Sequence, residues 1–95
     1  MQSIMILGKP YSISTVATID DDGNSGEIDV RACTIKLIDG LADHMRQESL
    51  LHEVIHGVDE ELSIGLTEEQ VRRLSVGLYA VYRENEMHII ERPGK

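Results

Sequence analysis

The sequence predicts a single α+β domain in which a small antiparallel sheet of three to four strands is followed by two packed helices. Residues 1–40 contain short apolar and β-branched runs separated by turn-forming residues, which is typical of strands. Residues 43–85 instead repeat their apolar positions every three or four residues, which is typical of helices. Residues 86–95 are predicted to form a tail, with either a short strand or no regular structure. We expect one domain over residues 1–95, because neither an internal repeat nor a low-complexity linker divides the chain.

The strands are predicted from runs of apolar or β-branched residues that end at glycine, proline or aspartate. These runs are residues 3–7, 11–19, 27–30 and 34–38. An acidic loop, residues 20–26, lies between the second and third runs. It does not fit a calcium-binding loop, because a frame that starts at Asp20 or Asp21 lacks the final glutamate that binds calcium through both oxygens.

Two helices follow the predicted sheet. The first spans residues 43–62, with Asp43 as its N-cap, and its apolar stripe consists of Leu50, Leu51, Val54, Ile55, Val58 and Leu62. The second spans residues 67–85 and begins with a capping box, in which Thr67 and Gln70 each satisfy an unpaired amide of the other. Its apolar stripe consists of Val71, Leu74, Leu78 and Val81.

The composition excludes several classes of function. The net charge is −8 and the basic residues are scattered, so direct nucleic-acid binding is not expected. No apolar run approaches the roughly 18–20 residues that cross a bilayer, and the N-terminus lacks the pattern of a secretion signal. The single cysteine, Cys33, fits a reducing compartment. We therefore expect a soluble, cytoplasmic protein without membrane contact, and nothing in the sequence predicts its oligomeric state.

The most specific motif is His-Glu-Val-Ile-His at residues 52–56. On a helix, His52 and His56 lie one turn apart and point the same way, so both imidazoles can bind one metal ion. Glu53 is suited to take a proton from water rather than to bind the metal. In helical projection, the two histidines lie at the edge of the apolar arc. Glu53 lies beyond the histidines, farther from the arc. The alternative is two ordinary boundary histidines with a solvated glutamate, although chance would produce this pattern in only about two of a hundred such sequences.

A catalytic zinc site takes three protein ligands, so a third residue must join the two histidines. Glu68 is our prediction, because it lies beside the face of the second helix that would pack on the first. Glu69 points away and is kept as an alternative, either as a ligand or as a group that bonds to one. The alternative is that Glu68 is an ordinary acid in the first turn of a helix. Asp59, one turn beyond His56, could bind the metal only if the first helix ended early. We expect it instead to accept a hydrogen bond from an imidazole, or to be exposed.

A hydrolytic site also needs a hydrogen-bond donor for the oxyanion that forms during the reaction. Tyr79, Tyr82 and His88 are candidates by their chemistry alone. The simpler interpretation is that the two tyrosines flank the packing stripe of the second helix and that His88 is a surface residue.

Residues 50–56, together with residues 66–74, resemble the small zinc metallopeptidase-like proteins of phages and prophages. These are a compact gluzincin, or minigluzincin, group with a distant similarity to the ImmA/IrrE-type peptidases of mobile elements. Residues 26–29 and 34–37 are similar to the hairpin that precedes the zinc helix in such proteins. The resemblance covers residues 26–85, and the histidine motif is its most specific part.

This resemblance implies a minimal zincin-like fold in which His52, His56 and Glu68 bind zinc and Glu53 is the general base. Larger members have extra segments that shape a substrate cleft, and this chain has little room for one. We therefore expect a zinc-dependent metallopeptidase that hydrolyses peptide bonds in a protein substrate, such as a regulator of a phage or mobile element. The alternative is a catalytically silent, zinc-stabilised protein that acts by binding a protein partner.

Overall fold

The computed structural model describes residues 2–19, 25–87 and 92–93. Its elements are β1 (Gln2–Ile6), β2 (Lys9–Val16), β3 (Gly26–Asp29), β4 (Thr34–Ile38), α1 (Asp43–Leu62), α2 (Glu68–Glu84) and β5 (Arg92–Pro93). The predicted α+β class, with strands first and two helices after them, is confirmed. Most of the predicted acidic loop, residues 20–24, lies outside the described residues, as does His88.

The sheet is mixed and not wholly antiparallel, which corrects one part of the prediction. Its strands lie in the order β3-β4-β2-β1-β5. β1 and β2 form an antiparallel hairpin whose turn places Leu7 and Gly8 in the left-handed region, with φ of 49° and 83°. After β2 the chain forms β3 at the edge of the sheet and then turns back as β4, which lies between β3 and β2. β4 therefore pairs antiparallel with β3 and parallel with β2. Side-chain alternation predicts a strand but not the strand with which it pairs.

One face of the sheet is apolar and packs on α1. Alternate residues of three neighbouring strands point to this face, while the residues between them are more exposed. The resulting core contains Ile4, Ile6, Tyr11, Ile13, Ile35, Leu37 and, from α1, Leu50. This layer of aliphatic side chains, together with Tyr11, holds α1 against the sheet.

Helix α1 lies between the sheet and α2 and is buried on both sides. Toward the sheet, Gly57 comes so close that a Cβ atom there would lie 3.0 Å from Ile28 and 3.3 Å from Ile6. Toward α2, α1 contributes Leu51 and Ile55 to a second apolar cluster. The predicted helix range is confirmed, but its predicted cap is wrong. The N-cap is Ala42, which makes no side-chain capping bond, and Asp43 is the first helical residue, where the helix dipole favours an acid.

Helix α2 begins as predicted but packs through a different face. The capping box is present, with Thr67 Oγ1 accepting from the Gln70 amide at 3.1 Å and Gln70 Oε1 accepting from the Thr67 amide at 2.9 Å. The buried residues of α2 are Val71, Ser75 and Tyr79. The other members of the predicted stripe are exposed: Leu74, Leu78 and Val81, by 43%, 38% and 47%. The apolar arc of α2 is wider than the surface that α1 covers, so the periodicity alone could not select the buried part.

Neither helix in the described part of the chain combines the length and apolar character that a membrane span requires.

Removing the Thr67 side chain should destabilise the protein through the start of α2. We expect Thr67→Ala to lower the free energy of unfolding by about 1 kcal/mol, because it leaves an amide of the first turn without its partner. Urea denaturation measures this change. Thr18→Ala is the matched control, since Thr18 is exposed and lies outside the helices and strands. Equal losses in the two variants would contradict a capping role.

Candidate metal centre

Three side chains converge where α1 meets the first turn of α2. The Oε1 atom of Glu68 lies 2.9 Å from His52 Nε2, and its Oε2 atom lies 3.0 Å from His56 Nε2. One ligand atom from each of the three residues lies within 4.8 Å of the other two. The two imidazole rings face each other edge-on, with centroids 4.9 Å apart. The structure therefore brings together the two histidines of the motif and the glutamate that the sequence predicted to join them.

This donor set fits a zinc ion. Two imidazole nitrogens and one carboxylate are a set that hydrolytic zinc sites use, and the fourth position stays open for water. Zinc bound at about 2.0–2.2 Å would hold its ligand atoms roughly 3.4 Å apart. In this structure the distances from the Glu68 oxygens to the two Nε2 atoms are a few tenths of an ångström shorter than that. Because the Glu68 side chain is 69% exposed, it is free to move outward by that amount.

Asp59 holds the connection between the helices, and no hydrogen bond joins it to His52 or His56, so the first of the two roles expected for it is not seen. Its Oδ1 atom accepts hydrogen bonds from the amides of Gly65, at 2.8 Å, and Leu66, at 2.9 Å. These bonds fix the turn that leads into α2, and they thereby set where Glu68 lies. The helix does continue past Gly57 to Leu62, as expected, which removes Asp59 from direct ligation.

Glu69 points away from the cluster, as predicted. Its carboxylate accepts hydrogen bonds from Arg72, at 2.8 Å and 3.1 Å, and from Arg73, at 2.9 Å. Hydrogen bonds from Arg72 and then Arg73 lower the pKa of Glu69 below its usual value. These exposed pairs hold Glu69 on the outer side of α2, so it is not an alternative ligand in this arrangement.

Glu53 is buried, with only 6% of its surface exposed, which corrects the prediction that it lies on the side away from the core. It packs between α1 and β3, where a Cβ atom on Gly26 would lie 3.2 Å from its Oε2 atom. Glycines 26 and 57 permit the close approach of α1 to the sheet. The helical projection missed this contact because it locates the buried face from apolar side chains, and glycine has none. Burial, together with the charges of Glu68 and Glu27, raises the pKa of Glu53 from 4.5 to about 7.

Two clefts meet at the cluster, and each is lined by Gly26, His52, Glu53 and Glu68. The first, of about 500 Å³, extends toward the N-terminal end of α1, and the second, of about 490 Å³, extends along β3 toward Glu60. We call the two together the β3 groove. The resemblance led us to expect little room for a cleft, but the groove runs to both sides of the cluster. β3 forms one edge of the sheet, and it pairs only with β4 in the described part of the chain.

Tyr79 and Tyr82, two of the three candidate oxyanion donors, are not brought to the cluster. Neither Tyr79 nor Tyr82 lines the β3 groove. Tyr79 packs between the helices with the Arg83 guanidinium 5.8 Å from its ring centroid, and Tyr82 packs at the edge of the same apolar cluster. The third candidate, His88, lies outside the described residues. The packing interpretation of the two tyrosines agrees with their positions.

Sequence reasoning missed three residues that line the first cleft: His44, Arg72 and Ser75. Arg72 and Ser75 recur four and seven residues after Glu68, which places them on its face of α2. This spacing could have identified them once Glu68 was chosen as a ligand. His44 lies two turns before His52 on the same face of α1, so helical spacing could have identified it as well once His52 was chosen as a ligand.

Comparison of the chain with protein-family models, with curated proteins and with solved structures found no match.

Replacing the buried carboxyl of Glu53 should change how stability depends on pH. In the metal-free protein Glu53 titrates near pH 7, against about 4.5 when unfolded, so the folded state binds more protons between these values. Its contribution to stability is present below pH 4.5 and is lost as the pH rises through 7. We therefore expect Glu53→Gln, in the presence of a chelator, to be more stable than the wild type at pH 8 by on the order of 2–3 kcal/mol.

At pH 4.5 the difference between Glu53→Gln and the wild type should be much smaller. Urea denaturation at the two pH values measures it, and Glu84→Gln is the control for removing an exposed carboxyl from a helix. Parallel pH profiles for Glu53→Gln and the wild type would contradict the assignment.

Proposed function

We propose that this chain is a zinc-dependent metallopeptidase of the compact gluzincin type, which hydrolyses peptide bonds in a protein substrate. One observation carries the proposal: His52, His56 and Glu68 converge beside a buried carboxyl group, Glu53, in an open groove. A structural zinc site is usually closed by four protein ligands and needs no base beside it. Three ligands with an adjacent base are what a hydrolytic site requires.

Glu53 is suited to be the general base of this reaction. Zinc, when bound, would supply a Lewis acid for the peptide carbonyl and make water a better nucleophile at neutral pH. Glu53 would accept a proton from the attacking water and return it to the leaving amine. Burial raises the pKa of Glu53 in the metal-free protein, and a bound zinc ion would lower it again, so the carboxylate form needed to accept the proton would be favoured once the metal is in place. The absence of a side chain at Gly26 leaves the space beside β3 that the carboxyl occupies.

The β3 groove favours an extended peptide as the substrate. Its length on both sides of the cluster suits a chain that continues beyond the cleaved bond in both directions, as in endopeptidase cleavage. The edge of β3, which pairs only with β4 among the described residues, offers main-chain groups to which such a peptide could add as a strand. A regulator of a phage or mobile element as the substrate, and the cytoplasm as the location, rest on the resemblance and on the single free cysteine, Cys33.

A second candidate is a zinc-stabilised domain that binds a protein partner without turnover. Two observations favour it. Neither Tyr79 nor Tyr82 reaches the groove to stabilise an oxyanion. The exposed apolar side chains of α2, Leu74, Leu78 and Val81, provide a surface on which a partner could pack. The presence of a buried Glu53 beside the ligand set is the reason for preferring the peptidase.

Removal of the base should separate the two candidates. We expect Glu53→Gln to bind zinc as the wild type does but to hydrolyse an unstructured protein such as casein at least about 100-fold more slowly. Metal analysis of the purified proteins and a peptide-release assay measure the two properties. Glu84→Gln, which changes the same functional group outside the groove, should match the wild type in both. A zinc-loaded wild type with no hydrolysis of any protein tested would favour the partner-binding domain.

Removal of one ligand should abolish zinc binding. We expect His56→Ala to purify without stoichiometric zinc and to lose the rise in thermal midpoint that zinc gives the wild type, because zinc that binds only the folded state stabilises it. His44→Ala is the matched control, since His44 lies on the same helix outside the cluster. Full zinc occupancy of the His56→Ala protein would defeat the ligand assignment.

A further inference from the structure

Ser75 is a polar side chain at the centre of an apolar interface. It is only 1% exposed, and it lies on the face of α2 that packs on α1. The apolar cluster between the two helices contains Leu51, Ile55 and Val71, and Ser75 also lines the first cleft of the β3 groove. Alanine would suit such a position better, because it has a higher helix propensity and no hydroxyl group to satisfy. The hydroxyl of Ser75 therefore calls for an explanation from its contacts.

The Ser75 hydroxyl makes two contacts, and together they determine the direction of each hydrogen bond. Its Oγ atom lies 2.8 Å from the carbonyl oxygen of Arg72, which can only accept, so the hydroxyl proton is donated there. The same Oγ atom lies 3.3 Å from His52 Nδ1. Because the single proton of the hydroxyl is already used, Nδ1 must carry a hydrogen and donate it to Ser75.

This direction determines which nitrogen of His52 is available to a metal. A neutral imidazole with its hydrogen on Nδ1 has a lone pair on Nε2, and Nε2 is the atom that faces Glu68 at 2.9 Å. In the metal-free protein a hydrogen on Nε2 would be donated to the Glu68 carboxylate at this distance. His52 would release that hydrogen to bind a metal through Nε2, whereas the hydrogen on Nδ1 would stay with Ser75. In the described part of the chain, His56 Nδ1 has no protein partner of this kind, so the constraint is specific to His52.

We propose that Ser75 is a positioning residue for the metal centre: by accepting the hydrogen of His52 Nδ1, it selects the tautomer and ring orientation that present Nε2 to zinc. The inference rests on the proposed metal site and deepens it. It also links the two helices, since the ligand is on α1 and its orienting group is on α2. A serine that bonds only to the carbonyl three residues before it, as helical serines often do, would have no such effect on the metal.

The test is the zinc affinity of Ser75→Ala, measured by competition with a chromophoric chelator. We expect the dissociation constant to rise about tenfold, as is typical when a group that orients a metal ligand is removed. The thermal midpoint of the metal-free protein should change little. Tyr79→Phe is the matched control, because it also deletes a hydroxyl from the interior face of α2 but does not contact His52. Ser75→Thr, which keeps the hydroxyl, should bind zinc much more tightly than Ser75→Ala.

A second readout reports the hydrogen bond itself. In long-range nitrogen–proton NMR spectra of the zinc-loaded wild type, His52 should carry a slowly exchanging proton on Nδ1, and in Ser75→Ala this proton should exchange rapidly. If Ser75→Ala, or a folded Ser75→Thr, breaks the expected order of affinities, the role of the hydroxyl is overturned while the metal site stands. Equal losses in Tyr79→Phe would overturn it as well. A wild type that binds no zinc would defeat the proposed function and this inference together.

Discussion

The position of α1 between the sheet and α2 is the constraint on which the rest of the structure depends. One side of the helix meets the sheet through Leu50 and Gly57, and another meets α2 through Leu51 and Ile55. The turn that carries the two histidines lies at the boundary between these sides. A ligand there is half-buried: its backbone is fixed by the packing of the helix, while its ring edge reaches the groove. Packing thus fixes the backbone of the candidate centre and leaves its ring edges accessible from the groove.

The third member of the cluster depends on where α2 begins, and this is set locally. Asp59 binds the amides of the connection between the helices, and the capping box of Thr67 and Gln70 determines the first turn. Glu68 follows directly, so the position of its backbone beside the two histidines is set by this turn, while its exposed carboxylate can still adjust. The short connection is therefore as much a part of the candidate centre as the histidine motif, although none of its residues contacts a ligand atom.

The electrostatics of the centre favour a cation. Burial and then the negative charge of Glu68 raise the pKa of Glu53, in a chain with a net charge of −8. Two carboxyl groups this close to each other destabilise the folded state unless a positive charge lies near them. The loss matters in a domain of 95 residues with a small core. A divalent ion bound to Glu68 and the histidines would offset this cost. Metal binding at this cluster, if it occurs as proposed, would therefore be coupled to stability through burial and charge.

The sequence by itself determined the α+β class, the ranges of the two helices, the capping box, the pairing of His52 with His56 and the choice of Glu68 over Glu69. These features follow from backbone periodicity and from contacts within a few residues. Only the tertiary structure decided the parallel pairing of β2 with β4, the burial of Glu53, the exposed side of α2 and the contact of Ser75 with His52. Each of these depends on which surface of an element meets a partner distant in the chain, and local spacing carries no record of that partner.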